Sequence, residues 1–215
     1  MVFSDSLFDN LRSMARPKNQ EKRRQELRRA ASRAIAAGGS MRVSVRDVAQ
    51  EAGMSPASVL YYYPDLEQLV TEALQHAMER FYDRRHARAE SIADPRARIV
   101  ATIVDGFPTD HDDHDVLMMY LGVPVIRREP VVASLIRTLT ERQVSLYQAI
   151  LEVGQAHGVF DLADDSLTIA RNLVALEDAY GLYIINAQRS SLVDEAKRLT
   201  LAYASMATRC DLSLT

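Results

Sequence analysis

Apolar positions recur along this chain at intervals of three and four, the spacing of one face of an α-helix, and nowhere in the alternation of a half-buried strand. Leu27, Ala30, Ala31, Ala34 and Ile35 form one such face and predict a first helix over 19–37. Gly38-Gly39 ends it, because glycine accepts the left-handed conformation past a helix C-terminus. Val45, Val48, Ala49 and Ala52 form a shorter face behind Ser44, whose hydroxyl suits an N-cap, with Asp47 three residues on near the positive helix end. Gly53 turns the chain. Ser55 caps a third helix with Pro56 at its first position, where the missing N–H costs nothing, and Pro64 stops it. Asp65 then caps a long helix over about 66–90, with Leu69, Ala73, Ala77 and Phe81 inward. Asp94-Pro95 opens a helix that ends before Pro108, Thr109–Asp115 is a polar loop, and a short helix follows, broken near Gly122 and Pro124. Long helices are expected over about 129–157, 164–188 and 191–208. The expected fold is all-α, with about nine helices and no internal repeat.

Composition changes this picture in two ways. A single cysteine, Cys210, rules out an intrachain disulfide and suits a reducing compartment. The polar N-terminus does not read as a signal peptide, and no stretch approaches the ~20 apolar residues of a spanning helix, so a cytoplasmic protein without a membrane partner is expected. The formal net charge of −3 conceals a strong asymmetry: residues 12–46 hold eleven Lys or Arg against Glu21 and Glu26, a net of +9, while residues 47–215 carry a net of −10. A basic end on an acidic body presents that end to a polyanion; a solvated basic helix is the bland alternative.

The segment SVRDVAQEAGMSPASVLYYYP at 44–64 decides between them. Two short helices joined by a tight turn form a helix-turn-helix, in which the first braces and the second enters the DNA major groove by its N-terminal residues. Ser55, Pro56, Ala57 and Ser58 are small enough for close approach of the backbone. Tyr61 and Tyr62 can donate hydroxyl hydrogen bonds to phosphates, although Tyr63, and equally Tyr62, can instead pack between helices. Arg46 can read a guanine edge with two hydrogen bonds, and Arg42 and Ser44 lie at the same entrance. The candidate DNA-binding residues are therefore Arg42, Ser44, Arg46, Ser55, Pro56, Ala57, Ser58, Tyr61 and Tyr62.

Residues 23–72 resemble the N-terminal domain of the tetracycline-repressor (TetR) family. The likeness rests on the alanine-rich first helix, Gly38-Gly39, Ser44-Val45-Arg46-Asp47-Val48-Ala49, Ala52-Gly53-Met54-Ser55, Tyr61-Tyr62-Tyr63-Pro64, and Glu67 with Leu69. The resemblance implies a homodimeric repressor that holds a pseudo-palindromic double-stranded operator and releases it when a small-molecule inducer binds. It implies a three-helix DNA-binding domain, here 19–65, and a helical domain for ligand binding and dimerisation, here 66–215; residues 1–18 read as a flexible basic arm, and the last two helices, about 164–208, as the dimer interface. Two positions depart from it. Leu60 stands where many members have tyrosine and Leu66 where many have lysine, so the basic stretch before residue 44 is expected to carry more of the DNA affinity.

The C-terminal stretch 117–205 resembles the branch of that family containing the choline-responsive repressor, through Gly158-Val159-Phe160 and Leu176-Glu177-Asp178-Ala179-Tyr180-Gly181-Leu182. Along this helix Leu173, Glu177, Tyr180 and Ile184 share one face, and Val174, Asp178, Gly181 and Ile185 the neighbouring one. Two carboxylates in an apolar helix require partners. They hold either a cationic ligand between carboxylate and aromatic rings, or a salt bridge or interface hydrogen bond to Arg137, Arg142 or Arg171. Gly181 favours close helix approach at a dimer interface. The candidate pocket residues are Phe107, Met118, Tyr120, Tyr147, Glu177, Asp178 and Tyr180, although an apolar face such as Met118-Met119-Tyr120 is equally a core.

His111-Asp112-Asp113-His114-Asp115 has metal-ligand spacing, and a helical metal-dependent enzyme is one rival reading. The same run also reads as a polar loop ending in an N-cap. No phosphate loop, nucleophile elbow or metalloprotease motif is present, so no catalytic residue, metal or cofactor is expected. A second rival is a DNA-binding regulator whose C-terminal domain senses nothing and only dimerises or binds a partner.

Overall fold

The computed structural model describes residues 5–109, 113–122, 129–187 and 191–213, with residues 5–19 and 122 as backbone only. Among them lie α1 (Asp5–Gly38), α2 (Val45–Ala52), α3 (Pro56–Tyr62), α4 (Leu66–Ser91), α5 (Pro95–Val104), α6 (His114–Gly122), α7 (Pro130–Ala156), α8 (Ser166–Ala187) and α9 (Ser191–Thr208). The all-α expectation is met, and the helices from α2 onward start and stop close to the sequence signals.

The segment read as an arm departs from expectation, since α1 starts at Asp5 rather than at residue 19. No glycine interrupts 5–37, and Leu7, Leu11 and Met14 continue the helical spacing, so only Pro17 opposes propagation toward the N-terminus.

The chain divides into two compact units, Met1–His76 and Ala77–Thr215. The division falls within α4, beyond the expected boundary after residue 65. The first turns of α4 belong with the N-terminal helices because Leu69, Ala73 and Leu74 are buried there and Glu72 is held by Arg24, Arg28 and Tyr63.

In the first unit α1, α2 and α3 pack on one another. Leu27, Ala30, Ala31, Ala34 and Ile35 of α1 are buried with Val48 and Ala49 of α2 and Val59 of α3. Small residues on α1 let the short helices approach closely. Ser44 and Asp47 close a reciprocal capping box: Asp47 N–H donates to Ser44 Oγ at 3.3 Å and Ser44 N–H to Asp47 Oδ2 at 2.8 Å. Gly53, at φ +62°, ends α2 by donating its N–H to the carbonyls of Ala49 and Gln50, a conformation that a side chain would strain. Ser55 caps α3 by accepting from Ser58 N–H at 3.1 Å.

In the second unit α7 packs on α5 and α8, and α9 packs on α8 and α5. Their shared core includes Ile99, Ile103, Phe107, Tyr147, Ile150, Leu151, Leu173 and Leu201. Asp113 accepts from Val116 N–H at 3.3 Å and caps α6, which matches the N-cap reading of the polar loop. His111 lies outside the described residues. Among the described residues, no group of three or more His, Cys, Asp or Glu is placed to hold a metal ion.

Candidate functional site

The residues expected at DNA are exposed or half-buried in the first unit. Ser44, Arg42, Arg46, Ser55, Pro56 and Ala57 are exposed, while Ser58 and Tyr62 are half-buried. Tyr61 is 71% exposed and meets Tyr62 edge-on at 5.1 Å between ring centroids. Tyr63 is buried and packs between helices. Leu60, at the position where a polar contact is usual, is exposed as well. Arg23, Gly53, Ala57, Tyr61 and Tyr62 line a shallow concavity beside α3.

The basic stretch that precedes these residues is largely engaged within the unit. Arg24 donates to Tyr62 O at 3.0 Å and to Glu72 Oε1 at 2.9 Å, and its guanidinium lies 4.1 Å from the Tyr63 ring centroid. Arg28 pairs with Glu72 at 3.2 Å and Glu21 at 2.6 Å. Arg33 donates to the Glu51 carboxylate at 3.0 Å and to its carbonyl at 2.9 Å. Burial pushes the Glu72 carboxyl up, but the Tyr63 hydroxyl at 2.7 Å and the Arg24 charge outweigh it and hold the group below its ordinary value. Burial likewise pushes the Tyr63 hydroxyl up to about 12. Arg24, Arg28 and Arg33 therefore brace the first unit, the Arg33–Glu51 pair at an exposed position. Arg42 and Arg46 remain exposed and without an ion pair among the described residues.

The second unit contains a cavity of about 280 Å³. Met78 and Phe81 come from α4, Val116, Met119 and Tyr120 from α6, Ile136, Leu139, Thr140 and Gln143 from α7, and Glu177, Asp178 and Leu182 from α8, with Gly106 beside them. The walls are apolar and aromatic, and the charged residues on them are both acidic. Its size lies at the small end of the roughly 300–1,000 Å³ typical of small-molecule sites.

Behind the wall lies a buried polar network. Arg85 of α4, 1% exposed, donates to Thr102 O at 2.9 Å, Gln143 Oε1 at 2.7 Å, Tyr147 Oη at 2.7 Å and Glu177 Oε1 at 2.5 Å. Tyr147 O–H also donates to Glu177 Oε1. Glu177 is 3% exposed, and its Oε2 has no hydrogen-bond partner among the described residues. Burial raises the Glu177 carboxyl above its ordinary value, against the pull of Arg85 and Tyr147. Gly106 lies so close that a Cβ there would overlap the Glu177 carboxyl and crowd the Arg85 guanidinium. Asp178 keeps accessible surface, yet the protein around its carboxyl displaces enough water to push it up to about 6, with Arg85 opposing. Burial pushes the Tyr120 hydroxyl up too.

Of the seven residues expected at the pocket, Tyr120, Glu177 and Asp178 are on its wall. Phe107 is buried in the helical core instead, and Met118 is buried away from the cavity because the residues of α6 turned to it are Val116, Met119 and Tyr120. Tyr147 supports Glu177 from behind, and Tyr180 packs against the core and edge-on to Tyr183 at 6.3 Å. Glu177 does find a cation, but it is Arg85 rather than Arg137, Arg142 or Arg171. Arg142 is engaged with Asp83 at 3.1 Å and stacks on Tyr82 at 3.8 Å, and Arg137 and Arg171 are exposed. Within the subunit, the close approach at Gly181 is made by the Tyr120 hydroxyl of α6, where a Cβ would collide. Arg85 itself was legible: Met78, Tyr82, Arg85 and Ala89 are spaced i, i+4, i+7, i+11, so a lone cation sits on an inward apolar stripe.

Comparison with known proteins places this geometry. The family described as bacterial regulatory proteins, tetR family, matches residues 27–73. The HTH-type transcriptional regulator BetI of Agrobacterium fabrum is 30% identical over 175 residues, covering 79% of this chain and 79% of that protein. BetI of Rhizobium meliloti is 29% identical over 173 residues, covering 79% of this chain and 80% of that protein. Among solved structures, a TetR transcription regulator from Haloarcula marismortui superposes with a TM-score of 0.78 at 22% identity, over 87% of this chain and 98% of that one. A transcriptional regulator from Saccharomonospora viridis, solved in complex with choline, gives a TM-score of 0.78 at 25% identity, over 86% of this chain and 96% of that one.

Proposed function

This chain belongs to the TetR family of bacterial transcription regulators and is not an enzyme, and from that premise we propose that it is a ligand-responsive repressor, a homodimer on a pseudo-palindromic operator, released when a small organic cation enters the cavity of its second unit. The observation that carries the reading is the lining of that cavity: apolar and aromatic walls whose charged residues are Glu177 and Asp178. Such a site favours a cation, held by carboxylates and by the faces of Phe81 and Tyr120. The choline in the Saccharomonospora viridis regulator supports a quaternary ammonium as the first candidate.

Dimerisation draws support from large apolar side chains left exposed on the last two helices, Leu182 at 42% and Tyr183 at 60% on α8 and Met206 at 72% on α9. Two recognition helices related by a two-fold axis read two half-sites, hence the symmetric operator. Ser55, Pro56, Ala57 and Ser58 approach the bases with Arg46, while Arg42, Ser44, Tyr61 and Tyr62 hold the backbone. α4 carries Glu72 in the first unit and Met78 and Phe81 in the second, so it is the element through which an occupied cavity biases the dimer toward a spacing that no longer fits DNA. No described helix is long and apolar enough to cross a membrane, which suits work on DNA in the cytoplasm. A C-terminal domain that senses nothing calls for a filled core, and the cavity speaks against it.

The test is a gel shift on DNA selected from a random pool, titrated with choline and with uncharged and anionic molecules of similar size. Release by the cation alone is expected. Unchanged operator affinity with every ligand overturns the sensor reading.

A further inference from the structure

The effector reading leaves one buried atom unexplained. Glu177 Oε1 takes both nearby donors, Arg85 and Tyr147. Neither of those residues lines the cavity, whereas Glu177 does. Oε1 is thus engaged by residues outside the lining, and Oε2 of this lining residue is left without a donor. It is buried and has no partner among the described residues.

We propose that Glu177 Oε2 is the hydrogen-bond acceptor for the cavity's ligand, so that the ligand is a cation bearing its own O–H or N–H donor, with the charge placed toward Asp178 and the rings of Phe81 and Tyr120. This rests on the cationic-effector reading and narrows it. A positively charged group alone satisfies Asp178 and the aromatic faces and leaves Oε2 buried without a donor. Charge selects the class of ligand; the orphan oxygen selects within it. A site built to pair a donor rejects the analogue that lacks it, because the site's own polar atom then stays unpaired. The same oxygen rejects an analogue that ends in a carboxylate, since an anion would face Glu177 and Asp178 together.

Three quaternary ammonium probes separate the possibilities on the intact dimer. Choline carries a hydroxyl donor, tetramethylammonium carries none, and trimethylglycine has a carboxylate where choline has hydroxymethyl. Binding is read by calorimetry and by release of operator DNA. Choline is expected to bind roughly 5- to 150-fold more tightly than tetramethylammonium, the range set by leaving one buried acceptor unpaired, and trimethylglycine more weakly than choline. Equal binding of choline and tetramethylammonium overturns the donor proposal while leaving the cationic effector standing; it is the result if a bound water satisfies Oε2. Trimethylglycine binding as tightly as choline overturns it as well. Failure of all three to bind overturns the cationic effector and the proposal with it. In Glu177→Gln the preference for choline over tetramethylammonium should shrink toward unity, and its persistence in a folded variant overturns the assignment to Oε2. Should that variant fail to fold, the three probes on the unaltered protein still decide.

Discussion

Arg85 and Glu177, 92 residues apart in sequence, meet at 2.5 Å with almost no surface exposed on either side chain. Removing one member of such a pair leaves the other buried without its counter-charge, which typically costs about 3–5 kcal/mol. Arg85→Met should lose stability of that order in urea unfolding, because Gln143, Tyr147 and the Thr102 carbonyl lose a donor as well. The Arg85→Met/Glu177→Leu double variant should recover much of it. The carboxyl left alone takes up a proton more readily, so the loss in the single variant should ease as pH falls. A single variant within about 1 kcal/mol of the unaltered protein would show that the pair is not the keystone of this core.

Arg24 holds the C-terminal end of α3 through Tyr62 O and touches Tyr63 and Glu72 inside the unit. Arg24→Gln should weaken operator binding by loosening α3, yet leave the salt dependence of binding unchanged. Arg42→Ala should do the reverse and flatten the slope of log K against log salt by about 0.9 for each phosphate it no longer neutralises. Arg46→Ala should relax preference at one base position. A flatter slope for Arg24→Gln would place that side chain on the DNA instead.

The Asp178 carboxyl, pushed up to about 6, gives effector binding a pH dependence. Above that value the group is anionic and attracts a cation; as pH falls through it, the charge and the attraction are lost. Cation affinity should therefore be full near pH 8 and decline below about 6, and Asp178→Asn should be weak at both ends, with calorimetry at fixed ionic strength as the measurement. Affinity that stays level from pH 8 to 5 would assign the attraction to other groups.

Gly106→Ala should disturb the cavity without touching DNA. Its Cβ would meet the Glu177 carboxyl and the Arg85 guanidinium, both of them locked by other bonds and unable to yield cheaply. Effector affinity and melting temperature should both fall, while operator affinity without effector stays within about twofold. The loss of stability should be of the order of 1–3 kcal/mol, read by thermal unfolding.

The two short helices and the turn between them were legible because their determinants are local. Ser44, Asp47, Gly53, Ser55 and Pro56 each act on neighbours within a turn or two, and the structure uses Ser44 and Ser55 as caps and Gly53 as the left-handed stop. The cavity was legible only in part. That Glu177 and Asp178 needed partners followed from their apolar helix, but which partner followed from tertiary packing: three arginines on α7 and α8 were plausible by charge, and the one that serves lies on α4. Met118 was read onto the wall for a local reason. A one-residue rotation of α6 exchanges Met118 for Met119 at the wall, and hydrophobic spacing on a nine-residue helix does not fix that rotation. The role of Gly181 was read as subunit contact because glycine reports a close approach without saying what approaches.

The buried network also limits how far this site can be transplanted. Arg85, Tyr147 and Thr102 are not part of the cavity lining, yet they decide which oxygen of Glu177 stays unpaired. Copying only the visible lining into another helical scaffold would carry over the shape and the charge, and leave behind the orientation of the one carboxyl that discriminates.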